Sequence, residues 1–106
     1  MLSVGIDTHE RMHYVEIQDE KENRLWRGKI RNIKEDFEFL IDKIKKVENS
    51  NNDKVEFIFM NPTGNYHIPL KYFLENNNFT VYMDVHPLLW KIAIEWEKQN
   101  INAIIL

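Results

Sequence analysis

Ser3-Val4-Gly5-Ile6-Asp7-Thr8-His9, followed at once by Met12-His13-Tyr14-Val15-Glu16-Ile17, is the stretch around which the rest of the chain is organised. Residues 3–7 are short, apolar and β-branched, the composition of a buried central strand. That strand delivers one carboxylate, Asp7, to its end. Thr8-His9-Glu10-Arg11 reads as a polar turn. Beyond it Met12, Tyr14 and Glu16 alternate with His13, Val15 and Ile17, the period of two that predicts a half-exposed strand returning beside the first. Asp19-Glu20-Lys21-Glu22-Asn23 is a charged turn, after which residues 24–31 alternate again through Leu25, Arg27, Lys29 and Arg31. Three strands joined by short turns make an antiparallel meander.

A helix is expected next. Asn32 stands where it can cap free amides, and Glu35 follows three residues later in capping-box spacing. Ile33, Phe37, Leu40, Ile41, Ile44 and Val47 then fall at helical intervals, so one face is apolar and packs on the sheet. After the polar loop 49–53, residues 55–60 form an apolar run broken only by Glu56, which predicts a parallel strand covered by helices. Asn61-Pro62-Thr63-Gly64-Asn65-Tyr66 is the turn at its carboxyl end, with Gly64 supplying a positive φ. A second helix runs through Leu70, Phe73 and Leu74, residues 79–85 read as another strand, and a third helix is expected through Leu88, Leu89, Ile92, Ile94 and Trp96.

Composition sets bounds on function. With 106 residues, 43% of them hydrophobic, the chain can bury one core and has no room for two, so a single domain over 1–106 is expected. A formal charge of −3 provides no global attraction to nucleic acid, so any such contact has to come from a local patch. The absence of cysteine removes disulfides and thiolate metal sites. No apolar run approaches the roughly 18 residues needed to span a bilayer, and no leader pattern precedes the first strand, so a cytoplasmic protein without a membrane partner is expected.

The order β-β-β-α-β-α-β-α, a meander followed by right-handed crossovers, is that of an α/β RNase H-like fold, a five-stranded mixed sheet of order 3-2-1-4-5 flanked by helices. In open sheets of this kind ligands sit beyond the carboxyl ends of the strands, where strand order reverses. Asp7 ends the first strand and Asn61 follows the fourth, two neighbours in that order.

Gly5-Ile6-Asp7-Thr8 with Val15-Glu16-Ile17, then Pro62-Thr63-Gly64-Asn65-Tyr66, then Val85-His86-Pro87 together resemble the N-terminal, RuvC-like domain of the DEDD transposases of insertion-sequence family one-ten and the related Piv and MooV invertases. The resemblance covers nearly the whole chain and implies DNA transposition or site-specific recombination with Mg²⁺ or Mn²⁺. It also implies DNA and a guide RNA as partners, and a C-terminal catalytic-serine domain that this sequence lacks. Carried over by position, the first catalytic acid of the family matches Asp7 and its glutamate falls on Asn61. Its final Asp-x-x-Asp-Ala falls on Gln99-Asn100-Ile101-Asn102-Ala103. Only Asp7 of these four catalytic positions is acidic.

Two-metal phosphodiester chemistry needs several anionic oxygens to hold two Mg²⁺ ions roughly 3.5–4 Å apart, and trading three carboxylates for amides takes the site from about four negative charges to about one. The expectation is therefore a catalytically inactive remnant that keeps nucleic-acid or partner binding. The alternative is an active metal-dependent nuclease or recombinase that uses Asp7 with acids outside the family pattern, such as Glu10 or Asp84. Asp7 and Asp84 are the candidate metal ligands, and His9 and His86 could join them around a softer ion such as Mn²⁺ or Zn²⁺. An actin-like ATPase shares the Gly-Ile-Asp opening but places glycine after the aspartate to approach phosphate, where this chain has Thr8-His9.

Arg24, Arg27, Lys29 and Arg31 form a basic edge that can meet phosphates, although charges also protect exposed edge strands. The apolar end, residues 101–106, is expected to bury itself, with a homodimer as one way of doing so.

Overall fold

The structure, a computed structural model, describes residues 1–62 and 64–83. Its elements are β1 (Leu2–Thr8), β2 (Met12–Gln18), β3 (Arg24–Arg31), α1 (Lys34–Asn51), β4 (Val55–Asn61), α2 (Ile68–Asn76) and β5 (Val81–Met83). They build one five-stranded sheet of order β3-β2-β1-β4-β5, with β1–β2 and β2–β3 antiparallel and β1–β4 and β4–β5 parallel. This is the α/β, RNase H-like arrangement expected from the element order. Thr63, Asp84, His86, Gln99, Asn102, the expected third helix and the apolar end 101–106 lie outside the described residues. Among the described residues no helix is long and apolar enough to cross a membrane.

The period of two in the strands divides the sheet into two chemically different faces. On one, Val4, Ile6, Val15, Ile17, Ile30, Ile58 and Met60 form a single buried cluster with Phe37, Leu40 and Ile44 of α1 and with Leu70 and Leu74 of α2. Each such side chain contributes about 1.5–3 kcal/mol by leaving water. The other face carries Asp7, Tyr14, Glu16, Arg27 and Lys29. Farther across, it bears an aromatic group in which the rings of Phe57, Phe59 and Tyr82 lie 5.6 to 5.9 Å apart. Two apolar faces explain why β4 reads as a nearly continuous hydrophobic run.

The helical spacing in α1 holds for Phe37, Leu40, Ile41 and Ile44, which are buried. Glu48 was not expected inside, yet it is buried because its Oε2 accepts the Val55 amide at 2.8 Å, fastening the end of α1 to the start of β4. Its spacing from Ile44 and Ile41 places it on the packed face.

The capping box is the expectation that the structure overturns. Ile33 holds the N-cap position and α1 has no side-chain cap. Asn32 is committed elsewhere: its backbone amide donates to Arg11 O at 3.1 Å and its Nδ2 donates to Tyr66 O at 3.2 Å. A long-range tie between two loops has displaced the local one. The α2 start is likewise bare, with His67 at the cap position and a proline in its first turn.

At the outer strand β3, Trp26 folds over Gly28. Its indole meets the edge of Phe39 at 6.2 Å between centroids, and Lys43 Nζ lies 5.7 Å from its ring centre. A Cβ on Gly28 would stand 2.5 Å from Trp26 Cζ2 and 2.7 Å from Cη2, which no carbon pair tolerates, so the indole would have to leave. Gly28→Ala is therefore expected to cost about 1–3 kcal/mol of stability. Urea unfolding checks this: the midpoint should fall at constant m-value, and an unchanged midpoint would show that the indole repacks freely.

Candidate functional site

Asp7 and Asn61 arrive together because β1 and β4 run parallel and in register: the two residues are direct Cα partners at the carboxyl ends of their strands. Thr8 Oγ1 donates to Asn61 O at 2.8 Å and ties those ends. On its other side Asp7 is paired with Tyr14 of β2, and Tyr14 with Lys29 of β3. One row across the sheet therefore reads Lys29, Tyr14, Asp7, Asn61, all on the face away from α1 and α2.

The Asp7 side chain is 54% exposed and one of its oxygens is engaged, with His9 Nε2 lying 3.1 Å from Oδ2. The His9 ring stands edge-on to Tyr14 at 5.5 Å, an arrangement that holds the imidazole over the carboxylate. The resemblance implies a divalent metal here, and the donors among the described residues do not fit a pair of Mg²⁺ ions. The lateral neighbour of Asp7 is an amide, His9 occupies one carboxylate oxygen, and among the described residues no three imidazole or carboxylate groups are gathered as a metal site.

Behind this surface lies a buried polar cluster that the sequence reading did not single out. His13 is fully buried, and its Nδ1 accepts the His9 amide at 3.2 Å, which assigns the neutral proton to Nε2. That Nε2 and Asn32 Oδ1 are both buried without a partner in strict hydrogen-bond geometry, as is His67 Nδ1. Asn32 is nevertheless the neighbour that favours the charged imidazole. The signal available in sequence was His13 falling on the Val15 and Ile17 side of the β2 alternation.

Burial holds the His13 pKa below its ordinary value, partly offset by Asn32 and reinforced by His9 and His67. A lowered histidine pKa in the folded state means that acid protonates the unfolded chain first. Stability contributed by neutral His13 is then complete above about pH 6.5 and declines as pH falls below it, by at most about 1.4 kcal/mol per pH unit. The difference in unfolding free energy between the native chain and His13→Gln, followed from pH 7.5 to 5, should shrink towards acid. A constant difference would contradict this assignment.

The four basic residues of β3 divide into two pairs. Arg24 is held by Glu16, and Arg31 donates to Asp36 through Nε at 3.1 Å and Nη2 at 3.0 Å. The hydrogen-bonded Arg31 guanidinium keeps the Asp36 carboxyl below the usual carboxylate range. Arg27 and Lys29 are exposed and make no ion pair among the described residues, and both lie on the Asp7 face.

An open groove of about 540 Å³ adjoins this row, bounded by His9, Glu10, Arg11, Met12 and Tyr14 on one side and by Tyr66 on the other. Tyr66 is placed there by Gly64, whose φ of 56° turns the chain after β4, and by the Asn32 bond to its carbonyl. In the sequence Tyr66 stands only as the end of the motif 62–66, and no local pattern there points to a groove.

Among solved structures the chain is similar to a ROK hexokinase from Thermus thermophilus, at 18% identity and a TM-score of 0.54 over 79% of this chain and 33% of that one. It is also similar to Pelota from Archaeoglobus fulgidus, at 15% identity and a TM-score of 0.49 over 93% of this chain and 31% of that one. The chain thus spans about a third of the length of these structures, and the hexokinase likeness shows a shared fold alone. No curated protein matches the sequence. The family model of the IS110-type DEDD transposases, described as Transposase, matches residues 4–94. With that match covering most of its length, the chain belongs to the DEDD transposase family of insertion-sequence family one-ten.

Proposed function

We propose that this chain is a transposase domain that retains the RNase H-like fold and a nucleic-acid-facing surface without two-metal cleavage. The observation that carries the reading is the β1–β4 register, which sets Asn61, an amide at the position the resemblance matches to the family's second acid, directly beside Asp7. The Asp7 carboxylate, already engaged by His9, supplies about one of the negative charges that two Mg²⁺ ions require. DNA is the partner this reading assigns, met through Arg27 and Lys29.

The test is incubation of the chain with single-stranded and branched DNA in Mg²⁺ or Mn²⁺. No cleavage above that of Asp7→Ala is expected. Metal-dependent cleavage abolished by Asp7→Ala would overturn the proposal and give the site to the second reading, with Glu10 or Asp84 as the added acid.

A further inference from the structure

We propose that the groove beside Asp7 seats an unpaired base of a DNA strand, so that the chain prefers single-stranded to duplex DNA; this rests on the reading that the Asp7 face meets nucleic acid. Two large aromatic rings stand in water at its rim, Tyr14 at 50% exposure and Tyr66 at 40%, although each is anchored by its backbone, Tyr14 within β2 and Tyr66 by Asn32. Anchored, exposed aromatic faces are what an unstacked base binds, and they do so with little regard to its identity.

Charge decides what enters and what stays outside. Glu10 lines the groove and Asp7 is the cross-strand partner of Tyr14 at its rim, so a phosphate against Tyr14 meets two carboxylates, whereas a neutral base carries no such penalty. The cations are Arg11, which lines the groove on the turn, and Lys29 and Arg27 on β3 outside it, none with an ion pair among the described residues. Lys29 is in the Tyr14 row, and Arg27 lies two residues away along the strand, about 6.6 Å, on the same face. A strand whose backbone follows these cations can turn one base onto Tyr14 and Tyr66. A duplex keeps its base faces stacked and offers the tyrosines nothing.

The experiment is fluorescence titration of an oligonucleotide carrying 2-aminopurine, single-stranded and annealed, with the full chain. Quenching on binding and at least about tenfold tighter binding of the single strand are expected. Tyr14→Ala and Tyr66→Ala should each weaken single-strand binding about tenfold, and Tyr14→Phe should restore it. Three phosphate contacts predict about twentyfold weaker binding between 50 and 200 mM salt, with a shallower dependence in Lys29→Ala. Equal binding of both forms, unaffected by loss of either tyrosine, would overturn the base seat and leave the nucleic-acid reading standing. Absence of binding to either form at 50 mM salt would overturn both.

Discussion

Asn32→Ala is expected to lower the unfolding free energy by about 1–3 kcal/mol, more than any other single polar truncation at this end of the sheet. The residue donates to Tyr66 O at 3.2 Å and, more weakly, to Glu10 O at 3.5 Å, and so ties two loops together. Alanine removes this donor and leaves the Tyr66 carbonyl without it, which costs that group's desolvation as well as the bonds. A cap residue would behave differently: its loss costs typically about 1 kcal/mol and would fray α1 alone. Denaturant unfolding with amide hydrogen exchange separates the cases. Loss of protection at residues 64–67 and in the β1–β2 turn, with α1 intact, is the predicted result. Fraying confined to the first turn of α1 would mean that Asn32 acts as a helix cap after all.

Asn61→Glu is the second change with a large expected effect, because it sets a carboxylate beside Asp7 in the one direction the sheet register dictates. Two adjacent carboxylates repel each other without metal and share a divalent ion well. The variant should be less stable than the native chain in chelator and should recover with Mn²⁺. At ten times its dissociation constant the ion contributes about 1.4 kcal/mol, a rise of several degrees in Tm for a domain of this size. The native chain should show no such rise. A variant indifferent to Mn²⁺ would show that the ends of β1 and β4 do not form a metal site even when a second acid is supplied.

The sheet was legible because its strands alternate cleanly and its turns are short. Asp7, Asn61 and the strand order followed from the placement of strand ends, and the structure sets those two residues side by side. What escaped the sequence depends on contacts between distant segments. Asn32 has the residue type and spacing of a cap, and local pattern cannot register that Tyr66, 34 residues later, competes for its amide. Glu48 looks like a solvated helix charge until the Val55 amide arrives to be satisfied. Arg24 and Arg31 look like equals of Arg27 and Lys29, but Glu16 and Asp36 hold the first two, whereas the others make no ion pair among the described residues. His9 was weighed as a metal ligand, and its partner in the structure is the carboxylate itself.

Titration of the native chain with Mg²⁺, followed by backbone amide NMR alongside Asp7→Ala, tests most directly whether this domain has parted from two-metal chemistry. The account predicts no saturable shifts at Asp7, Asn61 or their neighbours up to several millimolar, and no difference from the variant beyond the site of substitution. Saturation at those amides in the native chain, absent from Asp7→Ala, would contradict it.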